Sequence, residues 1–291
     1  MMEVRAEGSD GQGQGHGPDQ AILRIRPPRA RTQLGLRELW SYRELLYFFI
    51  WRDVKVRYKQ AALGIAWVVL QPILMVALFS LLFGKFLNAP SNGAPYAVFV
   101  LAALMPWQLF AMALNQAGNS LVVNRDLITK IHFPRILLPV AAVFAGLIDF
   151  GVAFLVLVAL LLYHGIMPSE AVLLLPFFVL GALVTARAVG IGLAALNARY
   201  RDVQHLLPTM TQFWFFATPI AYSATLIPES WRTLYGLNPL VGVAEGFRWA
   251  LLDQPLTAGP TILVSFGLSA LLVVASVVYF QRTASTFADI I

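Results

Sequence analysis

The sequence predicts an all-α polytopic membrane protein with six transmembrane helices, and three observations carry that prediction. The first is composition: of 291 residues, 58% are hydrophobic and 12% charged, with a mean hydropathy of +0.70. Soluble domains carry about 25% charged residues, and a single core could not bury this much apolar surface. The second is the presence of six apolar stretches, each near the ~20 residues that cross a bilayer as a helix. The third is the placement of Lys and Arg, which fall almost entirely on one side of the resulting topology.

The elements follow in order. Residues 1–34 contain GQGQGHGP and RPPRAR and are expected to be a disordered cytoplasmic tail. The first 20 residues are polar and lack the apolar segment of a signal peptide. Residues 35–59 read as an amphipathic helix: Leu36, Leu39, Trp40, Tyr47, Ile50, Trp51, Val54 and Tyr58 recur at helical spacings with charges between them. Such a helix lies in the membrane interface, the alternative being a cytosolic helix that faces a partner. The transmembrane domain, 60–285, holds the six spans: Ala61–Phe83, Tyr96–Val122, Ile136–Tyr163, Val172–Leu196, Leu206–Leu226 and Thr261–Phe280. Helices are expected because a spanning segment must satisfy its own backbone polar groups. Between spans five and six, Ile227–Pro260 is punctuated by Gly and Pro, and its apolar run Val241–Leu252 is too short to cross. It reads as a short re-entrant or interfacial helical pair on the outer side.

Eleven of the 21 Lys and Arg residues lie within 1–59. With the N-terminus inside, 17 fall on cytoplasmic segments and three outside, at Lys85, Arg232 and Arg248. Both termini are therefore expected in the cytoplasm, and the basic N-terminal region is expected to meet anionic lipid rather than nucleic acid.

Several chemistries are excluded. There is no cysteine, hence no disulfide and no thiolate metal site. No glycine-rich phosphate loop ending in Gly-Lys-Ser/Thr, no nucleophile elbow, no zinc signature and no paired carboxylate cluster occurs. The chain supplies no energy-coupling chemistry of its own. Two ionisable residues, Asp149 and Arg187, lie within spans, each about 14–15 Å along its helix from the cytoplasmic end at ~1.5 Å per residue. Antiparallel neighbours would let them pair, since intramembrane charges are normally partnered or functional. Glu245, Arg248 and Trp249 share neighbouring positions on the outer helical segment. They read either as an exposed helical ion pair or as an outer gate that meets the substrate.

The order of motifs is distinctive: RDVKVRYKQAALGIAWVVLQP, NRDLITKIHFPRILLP, LNARYRDVQHLLP, TPIAYS and NPLVGVAEGFRWALL. Over about residues 36–285 the chain resembles the permease subunits of ABC type-2 exporters, and most closely those exporting O-antigen, teichoic acid and other polysaccharides. The resemblance implies a homodimer in the bacterial cytoplasmic (inner) membrane, forming a continuous channel for a lipid-linked glycan. It implies two copies of a cytoplasmic ATP-binding subunit carrying ATP and Mg, so that the permease itself is no enzyme and holds no cofactor or metal. It assigns ATPase coupling to the loop between spans two and three, here Asn124, Arg125, Asp126, Leu127, Lys130 and Phe133. An exporter of a drug or small lipid remains the alternative within the family, and a proton-coupled secondary transporter the alternative outside it.

Aromatic side chains give a physical reading of the path, because sugar C–H faces pack on rings while Tyr and Trp keep a polar group for hydroxyls. Interface anchoring is the alternative role. Span five holds Phe213, Trp214, Phe215, Phe216 and Tyr222, span one Trp67, Phe79 and Phe83, and span two Trp107 and Phe110. In a continuous helix Phe215 and Tyr222 share a face, with Trp214 about 100° away. The channel candidates are therefore Trp67, Phe79, Trp214, Phe215 and Tyr222, with Phe213 and Phe216 expected to face away.

Overall fold

A computed structural model describes residues 40–59, 65–130, 133–254 and 259–283. The expected disordered tail lies outside the described residues. Among the described residues every regular element is helical. In chain order these are α1 (Arg43–Lys59), α2 (Ile65–Phe79), α3 (Tyr96–Val123), α4 (Arg125–Lys130), α5 (Leu137–Tyr163), α6 (Leu175–Arg199), α7 (Val203–Phe216), α8 (Glu229–Tyr235), α9 (Pro239–Leu252) and α10 (Gly259–Thr283). A π-helical turn, Ser80–Phe86, extends α2, and a 3₁₀ turn, Glu170–Leu174, leads into α6.

Five of these segments are long and apolar enough to cross a membrane: Ala66–Phe86, Tyr96–Val123, Leu137–Tyr163, Glu170–Arg199 and Ile262–Thr283. They are not equivalent. The apolar window of α3 is 78% buried within the chain and that of α2 only 11%. Helix α3 is the axis of the bundle, packed by α5, α6, α7 and α9. Close approach here depends on small residues: a Cβ on Gly190 of α6 would stand 2.7 Å from the Cβ of Ala117 on α3. Small residues at crossing points are the usual means by which membrane helices gain packing contacts.

The expected fifth span departs from a continuous helix. Helix α7 has 14 residues, about 21 Å at ~1.5 Å per residue, against the ~30 Å of a hydrocarbon core. The chain nevertheless runs the length of α3. Asn115 donates to Thr211 Oγ1 at 3.2 Å, the Phe110 and Trp214 rings lie 4.9 Å apart, and Tyr96 donates to the Ala221 carbonyl. Residues 217–223 are irregular, and irregular backbone at membrane depth requires protein partners. Asn238 supplies some: its Nδ2 donates to the Ala217 carbonyl and to Thr218 Oγ1, both at 3.0 Å, and its Oδ1 accepts from Trp214 Nε1 at 2.8 Å. The same Oδ1 caps α9 by accepting from Leu240 N at 3.0 Å, with Pro239 at the first helical position. Helices α8 and α9 form the expected pair, and α9 is buried on nearly its whole length against α3, α6 and α10.

Helix α1 packs along α5. Its Phe49 ring meets Phe133, just before α5, at 5.5 Å edge to face. Arg57 and Tyr58, two turns further on, reach Asp149 within α5. The two helices therefore run parallel. Phe49, Ile128, Phe133, Leu137 and Leu138 belong to an apolar cluster that ties α1, α4 and the start of α5 together.

Candidate functional site

A cavity of about 710 Å³ opens between the N-terminal half of α2, the middle of α3 and the middle of α5. Trp67 from α2, Trp107 from α3, Phe150 from α5 and Phe215 from α7 supply its rings. Gln71, Gln108, Asn115 and Gln116 supply amides, and Arg57, Tyr58 and Asp149 close the end nearest α1. Gln108 and Asn115 are seven residues apart, so they share one face of α3. The wall thus combines flat apolar rings with groups that both donate and accept hydrogen bonds.

Of the five channel candidates, Trp67 and Phe215 line this cavity. Phe79 stands behind, its ring 5.8 Å from that of Phe215. Trp214 turns to Phe110 and Asn238 instead. Tyr222 requires a correction: it does not share a helical face with Phe215, because α7 ends at Phe216 and the Thr218 hydroxyl turns back to the Trp214 carbonyl at 2.9 Å. The Tyr222 hydroxyl instead donates to the Phe216 carbonyl and pairs with Tyr235 at 2.8 Å. Phe213 and Phe216 are exposed on the bundle surface.

The expected Asp149–Arg187 pair is likewise corrected. Asp149, 5% exposed, accepts from Arg57 Nη1 and from the Tyr58 hydroxyl. Helix α1 lies against α5 and brings these donors to it, while α5 and α6 pack chiefly on α3 rather than on each other. Burial, together with the bond to Asp149, pushes the Tyr58 hydroxyl up to about 12, so it stays a donor at neutral pH. Arg187 Nε finds no hydrogen-bond partner among the described residues.

The coupling candidates fall on the short helix α4 and its flanks. Asn124 Nδ2 turns back to the Ser120 carbonyl at 2.8 Å, ending α3. The side chains of Arg125 and Asp126 are 61% and 84% exposed and lie 3.9 Å apart. Lys130 is also exposed, whereas Leu127 is half-buried and packs on the apolar cluster with Ile128. Phe133 is buried against Phe49. The helix therefore offers one charged face and is anchored by the other to α1.

Within α9 Glu245 and Arg248 form an ion pair of 3.1 Å, and it is buried rather than exposed. Arg248 is 1% exposed. Its guanidinium donates to the carbonyls of Ile220 at 2.7 Å, Tyr222 at 3.3 Å and Phe99 at 3.3 Å, and lies 3.6 Å over the Phe99 ring. It fastens the irregular segment 217–223 to α3 and α9. Trp249 is half-buried against the main core.

The sequence reading passed over Arg57, Tyr58 and the amides. Their signal was present: polar side chains at Gln71, Gln108 and Asn115 inside apolar spans are expensive unless they line a cavity.

The ABC-2 type transporter family model matches residues 44–252. The O-antigen export system permease protein RfbA of Myxococcus xanthus is 31% identical over 87% of this chain and 98% of its own length. The protein of the same name from Klebsiella pneumoniae is 28% identical over 85% of this chain and 95% of its own. The polysialic acid transport protein KpsM of Escherichia coli is 23% identical over 72% of this chain and 82% of its own. With the apolar helices and their packing, these matches make the chain a multi-pass membrane permease that belongs to the ABC-2 type transporter family.

Proposed function

We propose that the chain is the transport subunit of an ATP-driven exporter that moves a lipid-linked polysaccharide of the O-antigen or teichoic-acid kind across the cytoplasmic membrane. Two copies form the channel, two copies of a separate ATP-binding subunit carry ATP and Mg, and both termini lie in the cytoplasm. The observation that carries this reading is the cavity: Trp67, Trp107 and Phe215 beside Gln71, Gln108 and Asn115 offer rings for sugar faces and amides for sugar hydroxyls. The names of the relatives, an O-antigen export permease and a polysialic acid transport protein, support a polysaccharide cargo in general.

In this reading the fifth crossing is the chain from 203 to 222 beside α3, which gives six crossings, and the charged face of α4 docks the ATP-binding subunit. Exposed Arg125, Asp126 and Lys130 recognise it while Phe133 carries its movement to α1. The test is affinity purification with and without the cognate ATP-binding subunit. The expected product is a two-plus-two complex that hydrolyses ATP, with no turnover by the isolated chain. Robust ATP turnover by the chain alone, or a monomeric permease in the complex, would contradict the proposal.

A further inference from the structure

The cavity's charge balance says which glycans it holds, an inference that rests on the glycan-export reading above. Among the described residues its lining contains two charged side chains, Arg57 and Asp149, and they are bonded to each other. The cavity is thus neutral overall, and its one cation is already engaged by a carboxylate. The remaining polar lining consists of uncharged amides and the Tyr58 hydroxyl, interleaved with Trp67, Trp107, Phe150 and Phe215.

We propose that this cavity selects uncharged sugar residues over acidic ones, which narrows the cargo to neutral glycans of the O-antigen kind and away from teichoic and polysialic acids, with Arg57 and Asp149 as the specificity-determining pair. A neutral sugar hydroxyl both donates and accepts, and the amides here do both, so it is matched while Arg57 and Asp149 stay bonded to each other. A uronic or sialic acid brings a carboxylate that loses water on entry. It finds no free cation among the lining residues and meets Asp149 as a like charge. A cationic ligand meets the converse difficulty with Arg57. The aromatic wall grips the C–H face of either sugar alike, so it contributes affinity without discriminating between them. Selection therefore depends on a pair of charges that cancel, and changing either one should tune it predictably.

The test uses the full chain in lipid nanodiscs and saturation-transfer NMR, which suits weak binding. The probes are a neutral mannose hexasaccharide and an acidic galacturonic-acid hexasaccharide. The native chain should favour the neutral probe by about tenfold. Asp149→Asn leaves a net positive cavity and should raise the acidic-to-neutral ratio. Arg57→Gln leaves a net negative cavity and should lower it. The double variant, again neutral, should return close to the native ratio, and it keeps the test open should one single variant fail to give monodisperse protein. An acidic probe bound as well as the neutral one, or two single variants that shift the ratio in the same direction, would overturn the inference while leaving glycan export standing. Signal from neither probe would overturn both.

Discussion

Arg248 is the hub of a buried polar assembly, and its removal has a calculable consequence. In Arg248→Met the aliphatic stem is retained, but Glu245, 7% exposed, becomes a buried carboxylate with no counter-charge. Breaking a buried pair from one side costs about 3–5 kcal/mol. The carbonyls of Ile220, Tyr222 and Phe99 also lose donors, each worth about 1–3 kcal/mol if left unsatisfied. These contributions overlap, since residues in one network do not add, so about 4–6 kcal/mol is the expected total, a large share of the ~5–15 kcal/mol that holds a typical domain. In detergent, fluorescence-detected size exclusion should show a melting temperature lower by on the order of 10 °C, using ~2–4 °C per kcal/mol. Glu245→Gln keeps an acceptor beside Arg248 and should cost about 1–2 kcal/mol. The combined Glu245→Leu and Arg248→Met change removes both charges and should recover part of the loss. A melting temperature for Arg248→Met within about 2 °C of the native chain would show that the residue is not the fastening this geometry describes.

Three further outcomes are expected. Asp149→Asn and Arg57→Gln should be coupled by about 0.5–3 kcal/mol in a double-mutant cycle, whereas Asp149→Asn and Arg187→Gln should be additive; coupling to Arg187 instead would mean that Asp149 has been given the wrong partner. Phe133→Ala should loosen α4 from Phe49 and impair export with membrane insertion intact, while exposed Asp126→Ala should leave thermal stability unchanged and weaken co-purification with the ATP-binding subunit; labelling of Asp126→Cys by an impermeant thiol reagent outside intact cells would refute the orientation. Gly190→Val should press α6 away from Ala117 and cost about 1–3 kcal/mol, with Ala117→Gly restoring part of it in the same melting assay.

Span positions were legible because length and hydropathy are local properties: Leu137–Tyr163 begins one residue from the expected start. The break in the expected fifth span was not legible. The apolar run of Leu206–Leu226 looks continuous, and what ends α7 is a set of side chains far along the chain, Asn238 and Arg248, that satisfy the irregular backbone. The Asp149 partner failed for a related reason. Placing Asp149 and Arg187 at equal depth needed only helix rise, but choosing a partner needed the packing of α1 along α5. Aromatic content marked Trp67 and Phe215 for the cavity, whereas Tyr222 was placed by a helical periodicity that the chain abandons after Phe216. The short α4 was visible from Pro134, which ends any helix running into α5, yet the role of Phe133 as the bolt to Phe49 required the contact itself.

Vectorial transport is the property that an exporter subunit must show. The chain should be reconstituted in proteoliposomes with its cognate ATP-binding subunit, with a lipid-linked polysaccharide supplied on the ATP-accessible face. Polymer should then accumulate on the opposite face only when ATP and Mg are present, and accumulation should fall when Trp67, Trp107 and Phe215 are replaced together by Ala. Accumulation driven by a proton gradient without the partner subunit, or ATP turnover by the complex that moves no polymer, would contradict the proposed function.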